Sequence, residues 1–275
     1  MTSIVNKGPK PLTRTAFEDF RDGLRNWQLW SRLGVLDVKR RYRRTTFGPF
    51  WSAVSLGISI VLMGTVGGGL LKRGMSTYLP FLTSGMLVWL MISSIVSDAS
   101  NLFISKARLI RQTRFDYSIL AYSLVWRTFI VFLHNASIYV LIMLYFAPGI
   151  LLRPTILLII PGLFFLMATS AWVALLLGAV CLRFRDVQPL LRHVIQICMF
   201  ITPIFWPEDL LEGTRRFLFV ELNPLYHFIN VVRAPLLGNV PPIWSYVIII
   251  FITAVGWIAT YAFFSRFRKR IAFWS

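Results

Sequence analysis

Acidic residues are scarce in this chain: 11 Asp and Glu stand against 29 Lys and Arg over 275 residues. All the acids fall in loops or at the ends of apolar stretches, Asp98 being the deepest. Carriers driven by protons or ions set carboxylates within the membrane, so that energy source is not expected. A phosphate loop is missing as well. Gly67 to Lys72 supplies glycines and a lysine, but not at the spacing that lets backbone amides cradle a phosphate. The two cysteines, Cys181 and Cys198, have no metal-ligand spacing and sit in or beside apolar runs. A thiol there behaves as a small hydrophobe, and neither metal nor disulfide is expected. His134, His193 and His227 are kept apart by long apolar runs, with no carboxylate pair or activated nucleophile beside them. That argues against enzyme chemistry. The first 49 residues hold no continuous apolar run, so the first span is expected to serve as its own uncleaved signal. Internal repeats and low-complexity tracts are absent.

What abounds is apolar surface and basic charge. Hydrophobic residues make up 56% of the chain and mean hydropathy is +0.66, values of a polytopic membrane protein. A net charge of +18 would point to nucleic acid in a soluble protein. The positions of the charges exclude that partner. Of the 29 basic residues, 11 precede Phe50, 4 lie in 99–118, 3 in 183–193 and 4 in 266–270. Six lie in the alternate segments (Lys72, Arg73, Arg153, Arg215, Arg216, Arg233), and Arg127 falls inside a span. This is the positive-inside pattern. The block Lys39, Arg40, Arg41, Arg43, Arg44 stands directly before an uncharged run from Thr45 to Leu71, which holds that end in the cytoplasm.

The expected fold is an all-α integral membrane protein with six transmembrane helices, at about 49–71, 75–98, 119–146, 155–182, 190–206 and 243–264. Residues 1–48 form a cytoplasmic tail and an interface helix, 49–265 the transmembrane domain, and 266–275 a cytoplasmic tail. Both termini are then cytoplasmic. Thr15 to Glu18 fits a capping box. Phe17, Phe20, Leu24 and Trp27 follow at helical spacing among Arg14, Arg21, Arg25 and Arg32. Such an amphipathic helix suits the membrane surface, a soluble partner, or both. Gly64 to Gly69 either admits a close helix neighbour or loosens the span's end. Pro80 belongs near a first turn and Pro161 kinks the fourth span. Segment 101–116 mixes apolar and basic residues and is expected to form a short helix between membrane and partner. Arg127 lies within snorkelling reach of the interface. His134 and Asn135 sit mid-span, either as bonds between helices or as substrate contacts.

Between Pro207 and Pro241, charged residues alternate with short apolar segments. Two short re-entrant helices are expected there, opening at Pro207–Asp209 and at Asn223–Pro224, where Asn caps and Pro takes the first position. They form a gate or a plain outer cap. With no fuel chemistry in the chain, what remains is a conduit whose motor is another polypeptide.

Leu36-Asp37-Val38-Lys39-Arg40-Arg41-Tyr42, followed by Phe47-Gly48-Pro49-Phe50-Trp51, resembles the N-terminal motif of ABC-transporter permeases that export polysaccharides. That family has R-D-x-K-x-R-Y and L-G-x-x-W there, so Leu36 and Phe47 are departures. Arg183-Phe184-Arg185-Asp186-Val187, Thr202 to Pro207 and Asn223-Pro224-Leu225 resemble further family landmarks. The likeness runs from about Arg14 through the rest of the chain. It implies a type-2 exporter homodimer working with two copies of a separate ATPase subunit that binds ATP and Mg, with no cofactor in this chain. The implied cargo is a lipid-linked polysaccharide, such as an O-antigen-type glycan on undecaprenyl pyrophosphate, crossing the bacterial inner membrane. Capsule or teichoic-acid polymer, or a drug or small lipid, are the alternative cargoes.

Roles follow on that basis. Phe17, Phe20, Trp27, Lys106, Arg108, Arg111, Arg183, Arg185 and Asp186 are expected to meet the ATPase. Pro203, Pro207, Glu208, Asn223 and Pro224 mark the outer gate. A sugar chain can slide over aromatic faces, which nominates Trp51, Tyr78, Trp89, Phe200, Phe205 and Trp206, with His134, as the glycan channel. The collar of Lys39, Arg40, Arg41, Arg43 and Arg44 either orients the chain or receives a pyrophosphate headgroup, arginine making bidentate phosphate contacts.

Overall fold

The computed structural model describes residues 15–43, 48, 50–112 and 116–274, and the regular elements among these are all helices. Arg44, Phe47, Pro49 and Arg114 lie outside the described residues, as do residues 1–14.

Helix α1 (Ala16–Arg25) opens as a capping box. Thr15 Oγ1 accepts from the Glu18 amide at 3.2 Å, and Glu18 Oε2 accepts from the Thr15 amide at 2.9 Å. The single interface helix expected here is in fact two. The chain breaks at Asn26 and restarts as α2 (Trp27–Arg41). Asn competes with helical backbone through its own side chain. The break lets α1 lie on the last helix while α2 packs along α7. Lys39, Arg40 and Arg41 become the last turn of α2, where the helix dipole favours cations.

The spanning elements follow: α3 (Phe50–Leu70), α4 (Met75–Ala99), the short α5 (Leu102–Ser105) and α6 (Ala107–Gln112), then α7 (Ser118–Phe146). Two 3-10 turns, Pro148–Leu152 and Pro154–Leu158, lead into α8 (Ile159–Arg183). Next come α9 (Val187–Ile201), α10 (Gly213–Arg216) with a π-helical extension Phe217–Glu221, α11 (Pro224–Leu236) and α12 (Ile243–Trp274). Among the described residues, Phe50–Leu70, Met75–Ala99, Ser118–Phe146, Pro154–Arg183 and Ile243–Arg268 are long and apolar enough to cross a bilayer. The protein is a multi-pass membrane protein. At 15 residues, α9 is about 22 Å long, short of the roughly 30 Å hydrocarbon layer.

Several expectations shift. The fifth apolar helix starts at Val187 and stops at Ile201 rather than running to Trp206, because the residue before Pro203 is pushed out of the helical region and Thr202 is extended. Pro161 is the third residue of α8, where its missing N–H costs little. The irregularity lies in the 3-10 turns before it, not in a kink. Pro80 is the sixth residue of α4, just past the first turn. The last helix does not end at Phe264. It carries the basic cluster on to Trp274, with Ile271 fully buried and the Trp274 ring 5.3 Å from the Arg183 guanidinium. Residues 266–274 thus continue α12 as docked helix.

Helix α4 is the axis of the bundle: 72% of its apolar stretch is buried, against 22–28% for the other four. Lipid tails are as apolar as leucine, so close packing and buried hydrogen bonds, not water exclusion, hold such helices together. A Cβ on Gly64 would fall 2.3 Å from Leu79 Cδ2, and one on Gly67 2.6 Å from the Tyr78 hydroxyl. The small-residue stripe of α3 therefore serves close approach to α4, and α3 stays helical through it. Between α3 and α7, Ser52 donates to Asn135 Oδ1 at 2.8 Å. Between α8 and α12, the Thr169 and Thr253 hydroxyls meet at 2.7 Å.

Candidate functional site

The two ends of the bundle differ in chemistry. The basic end gathers α1, α2, α5, α6 and the last turns of α12; the far end carries α10 and α11.

At the basic end the acids are few, and three of them, Asp98, Asp37 and Asp19, each take more than one partner. Asp98, on the last turn of α4, takes Arg127 of α7 at 2.6 Å and Arg41 of α2 at 3.4 Å. Arg127 is therefore anchored to a carboxylate rather than reaching for headgroups. One α2 turn away, Asp37 takes Lys106 at 3.6 Å and Arg40 at 3.9 Å. Arg41 and Asp98 form a common wall between two polar cavities of about 320 and 310 Å³. The first is completed by Ser93, Ser94, Ser97 and Arg192, the second by Asp37, Lys106 and Arg127. Four cations face two carboxylates around this pair of cavities, so they carry two surplus positive charges. Such a chamber suits a phosphate. Lys39 and Arg43 point away, exposed.

Asp19 of α1 joins three elements at the same end. It is fully buried and accepts from the backbone amides of Ser118 at 3.0 Å and Tyr117 at 3.2 Å, capping α7. Arg268 of α12 closes the cluster, its Nη2 2.7 Å from Asp19 and its guanidinium 5.5 Å from the Tyr117 ring centre. Burial raises the Tyr117 phenol above its usual range, Arg268 opposing and Asp19 reinforcing.

The residues expected to meet a motor divide. Arg108, Arg111, Arg183, Arg185 and Asp186 are exposed at the basic end, as is Trp27. Lys106 is occupied by Asp37. The Phe20 ring centre lies 5.5 Å from those of both Trp257, edge-on, and Phe264, tilted, and Phe17 lines the same flank of the bundle. Phe20 is thus turned toward the spanning helices, whereas Phe17 stays 60% exposed at the edge of that flank.

The channel residues also scatter. Trp51 and Phe200 are exposed, and Phe205 and Trp206 are half-buried. Trp89 is packed in the core at 3% exposure, and Tyr78 is buried with its hydroxyl on the Phe205 carbonyl at 2.7 Å. Neither offers a free face within this chain. His134 bonds its own helix through the Ile130 carbonyl at 2.8 Å and packs on Phe50.

The far end is built round Arg233, which sequence reading counted only as one more outer charge. It is 4% exposed, donates to the Pro203 carbonyl at 2.7 Å, and lies 4.3 Å from the Phe81 ring centre. A Cβ on Gly85 would meet Arg233 Nη2 at 2.0 Å, so α4 needs glycine there. Asn223 caps α11 as expected, accepting from Leu225 and Tyr226 amides, and donates to Thr202 Oγ1 at 3.0 Å. Tyr226 donates to Glu208. The first expected outer helix opens as a 3-10 turn, Glu208–Leu210, tied through Asp209 to Arg73, and is broken before it resumes as α10 and its π-helical extension. Arg233 thus holds the unwound segment after α9 to α4 and α11. A lone charge in the apolar run of α11 is the signal that could have found it. Nothing in the sequence marked Asp19.

No group of three metal-capable side chains occurs among the described residues. A family model described as ABC-2 type transporter matches residues 29–237. An O-antigen export system permease protein, RfbA, of Klebsiella pneumoniae is 24% identical over 246 residues, spanning 86% of this chain and 90% of that one. Its Myxococcus xanthus namesake is 24% identical over 208 residues, 72% and 76% of the two chains. ABC-2 membrane domains carry no nucleotide site and pair with ATPase subunits. The helical bundle, the absence of a phosphate loop and the matched span agree: this chain belongs to the ABC-2 type transporter family, as its transmembrane, non-catalytic permease subunit.

Proposed function

We propose that the chain exports a lipid-linked polysaccharide, an O-antigen-type glycan on undecaprenyl pyrophosphate, across the bacterial inner membrane. It works as a homodimer with two ATPase subunits. Six crossings put both termini in the cytoplasm, the sixth made by α9 with the extended residues after it. Residues 16–43 form the cytoplasmic interface region.

The observation that carries this reading is the likeness to O-antigen export permeases over most of both chains. The chemistry of the basic end supports it. The chamber around Arg41 and Arg192 has surplus positive charge and hydroxyls for a pyrophosphate, while Trp51 and Phe200 offer exposed aromatic faces for sugar. Trp27, Arg108, Arg111, Arg183, Arg185 and Asp186 serve as the motor-facing surface. Pro203, Pro207, Glu208, Asn223 and Pro224 form the outer gate, with Arg233 as its anchor.

The test is gene disruption followed by analysis of accumulated polymer, together with vesicles holding permease and ATPase. Lipid-linked glycan trapped in the cytoplasm, and ATP-dependent export in vesicles, are expected. Accumulation of capsule, teichoic acid or a drug instead, or transport without the second subunit, overturns it.

A further inference from the structure

An apolar groove of about 730 Å³ runs along the flank of the bundle, bounded by α1, α2, α7, α8 and α12. Its volume is that of sites that hold small molecules. Aromatic rings dominate the walls, among them Phe17 and Phe20 of α1, Trp126 of α7 and Phe164 of α8. Phe164 and Ile258 on spanning helices stay 65% and 68% exposed, a burden that is relieved when the exposed face meets hydrocarbon rather than water. On α8 the groove extends from Phe164 to Ala171, about 10 Å along the helix axis, which suits an extended chain lying parallel to a span.

One charged residue, Arg21, lines the groove. It is exposed, and its nearest acid is the neighbouring Asp22 at 3.3 Å, a surface pair of little strength. Arg25 lies one turn further on, on the same face of α1. An apolar slot with Arg21 on its wall and Arg25 one helical turn along matches one chemistry: a hydrocarbon chain attached to a phosphate. The groove shares no lining residue with the cavities at Arg41 and Asp98, so it stands apart from the chamber assigned to cargo.

We propose that this groove seats one acyl chain of an anionic membrane glycerophospholipid, its phosphate held by Arg21 and Arg25, as a resident ligand. The lipid fills the space that α1 leaves beside the spanning helices and fixes α1 against them. Occupancy therefore reports the state of the interface region independently of any transported substrate.

The experiment is native mass spectrometry of the assembled permease–ATPase complex, after equilibration with vesicles of phosphatidylglycerol and phosphatidylcholine in equal amounts. Phosphatidylglycerol is expected to be retained in preference. Arg21→Gln and Arg25→Gln are each expected to cut that preference about fivefold, the worth of one basic residue near an anionic lipid. Both sites are on the exposed face, so these variants test the proposal even if a core variant fails to fold. Ala168→Trp, which fills the groove, is expected to lower retention of both lipids. Equal retention of the two lipids in the native complex, no change in Arg21→Gln with Arg25→Gln, or unchanged retention in folded Ala168→Trp overturns it. So does displacement of the bound phosphatidylglycerol by undecaprenyl phosphate.

Discussion

Asp19 and Arg268, separated by 249 positions in sequence, meet at 2.7 Å and fasten the interface helix to the last spanning helix. Asp19 is wholly buried, and among the described residues its charge is compensated by this guanidinium and the two amides at the start of α7. Removing one partner of a buried pair costs about 3–5 kcal/mol, whereas removing both costs less than the sum. Asp19→Asn and Arg268→Gln are each expected to lower the melting temperature of the purified complex, with the double variant clearly better than additive. Additive losses in a double-mutant cycle would mean that the pair is not coupled.

Arg41 and Arg192 line the same cavity, whereas Arg40 faces Asp37 outside it. A charged hydrogen bond to phosphate is worth about 1.5–3 kcal/mol. Arg41→Gln with Arg192→Gln is expected to cut export in vesicles tenfold or more, while the complex still assembles and hydrolyses ATP. Arg40→Gln should have a much smaller effect. Loss of membrane insertion in the double variant would assign the arginines to orientation alone.

Arg233 is the strut of the far end. Arg233→Gln frees the Pro203 carbonyl and leaves a gap against Gly85 and Phe81. The unwound segment should then open. With Cys181 and Cys198 replaced by serine, a Trp206→Cys reporter is expected to react several-fold faster with a membrane-impermeant maleimide in the Arg233→Gln background. An unchanged rate would deny Arg233 its holding role.

Gly64 sets the spacing of α3 and α4. Its missing Cβ would lie 2.3 Å from Leu79, the mobile end of a side chain, so Gly64→Ala is expected to be mild. Gly64→Ile forces the helices apart at a cost of about 1–3 kcal/mol, as overpacking does. The yield of folded protein by size-exclusion profile distinguishes the two.

The five long apolar helices were legible, because hydropathy over twenty residues is a coarse signal that tertiary contacts rarely override; the ends of the last two apolar helices, α9 and α12, were not. Capping at Thr15 and Asn223 was legible for a different reason: its geometry is local, closing within three residues. What could not be read is long-range. Helix α1 ends at Asn26 and lies against both α7 and α12, and no neighbour in sequence announces those surfaces. Likewise Trp89 and Tyr78 look like channel aromatics until α4 proves to be the central helix. Arg127 and Asp98 each stood out singly, but 29 residues apart their pairing depended on how α4 and α7 cross.

The unbroken course of α12 has a mechanical corollary. Its 32 residues make a rod about 48 Å long, with no proline and with Gly256 wedged against Trp172. A rod without a joint behaves as a lever. Any push on its docked basic end, where Arg268 is gripped, is delivered as tilt some 30 Å away, beside the residues that flank the far-end turn.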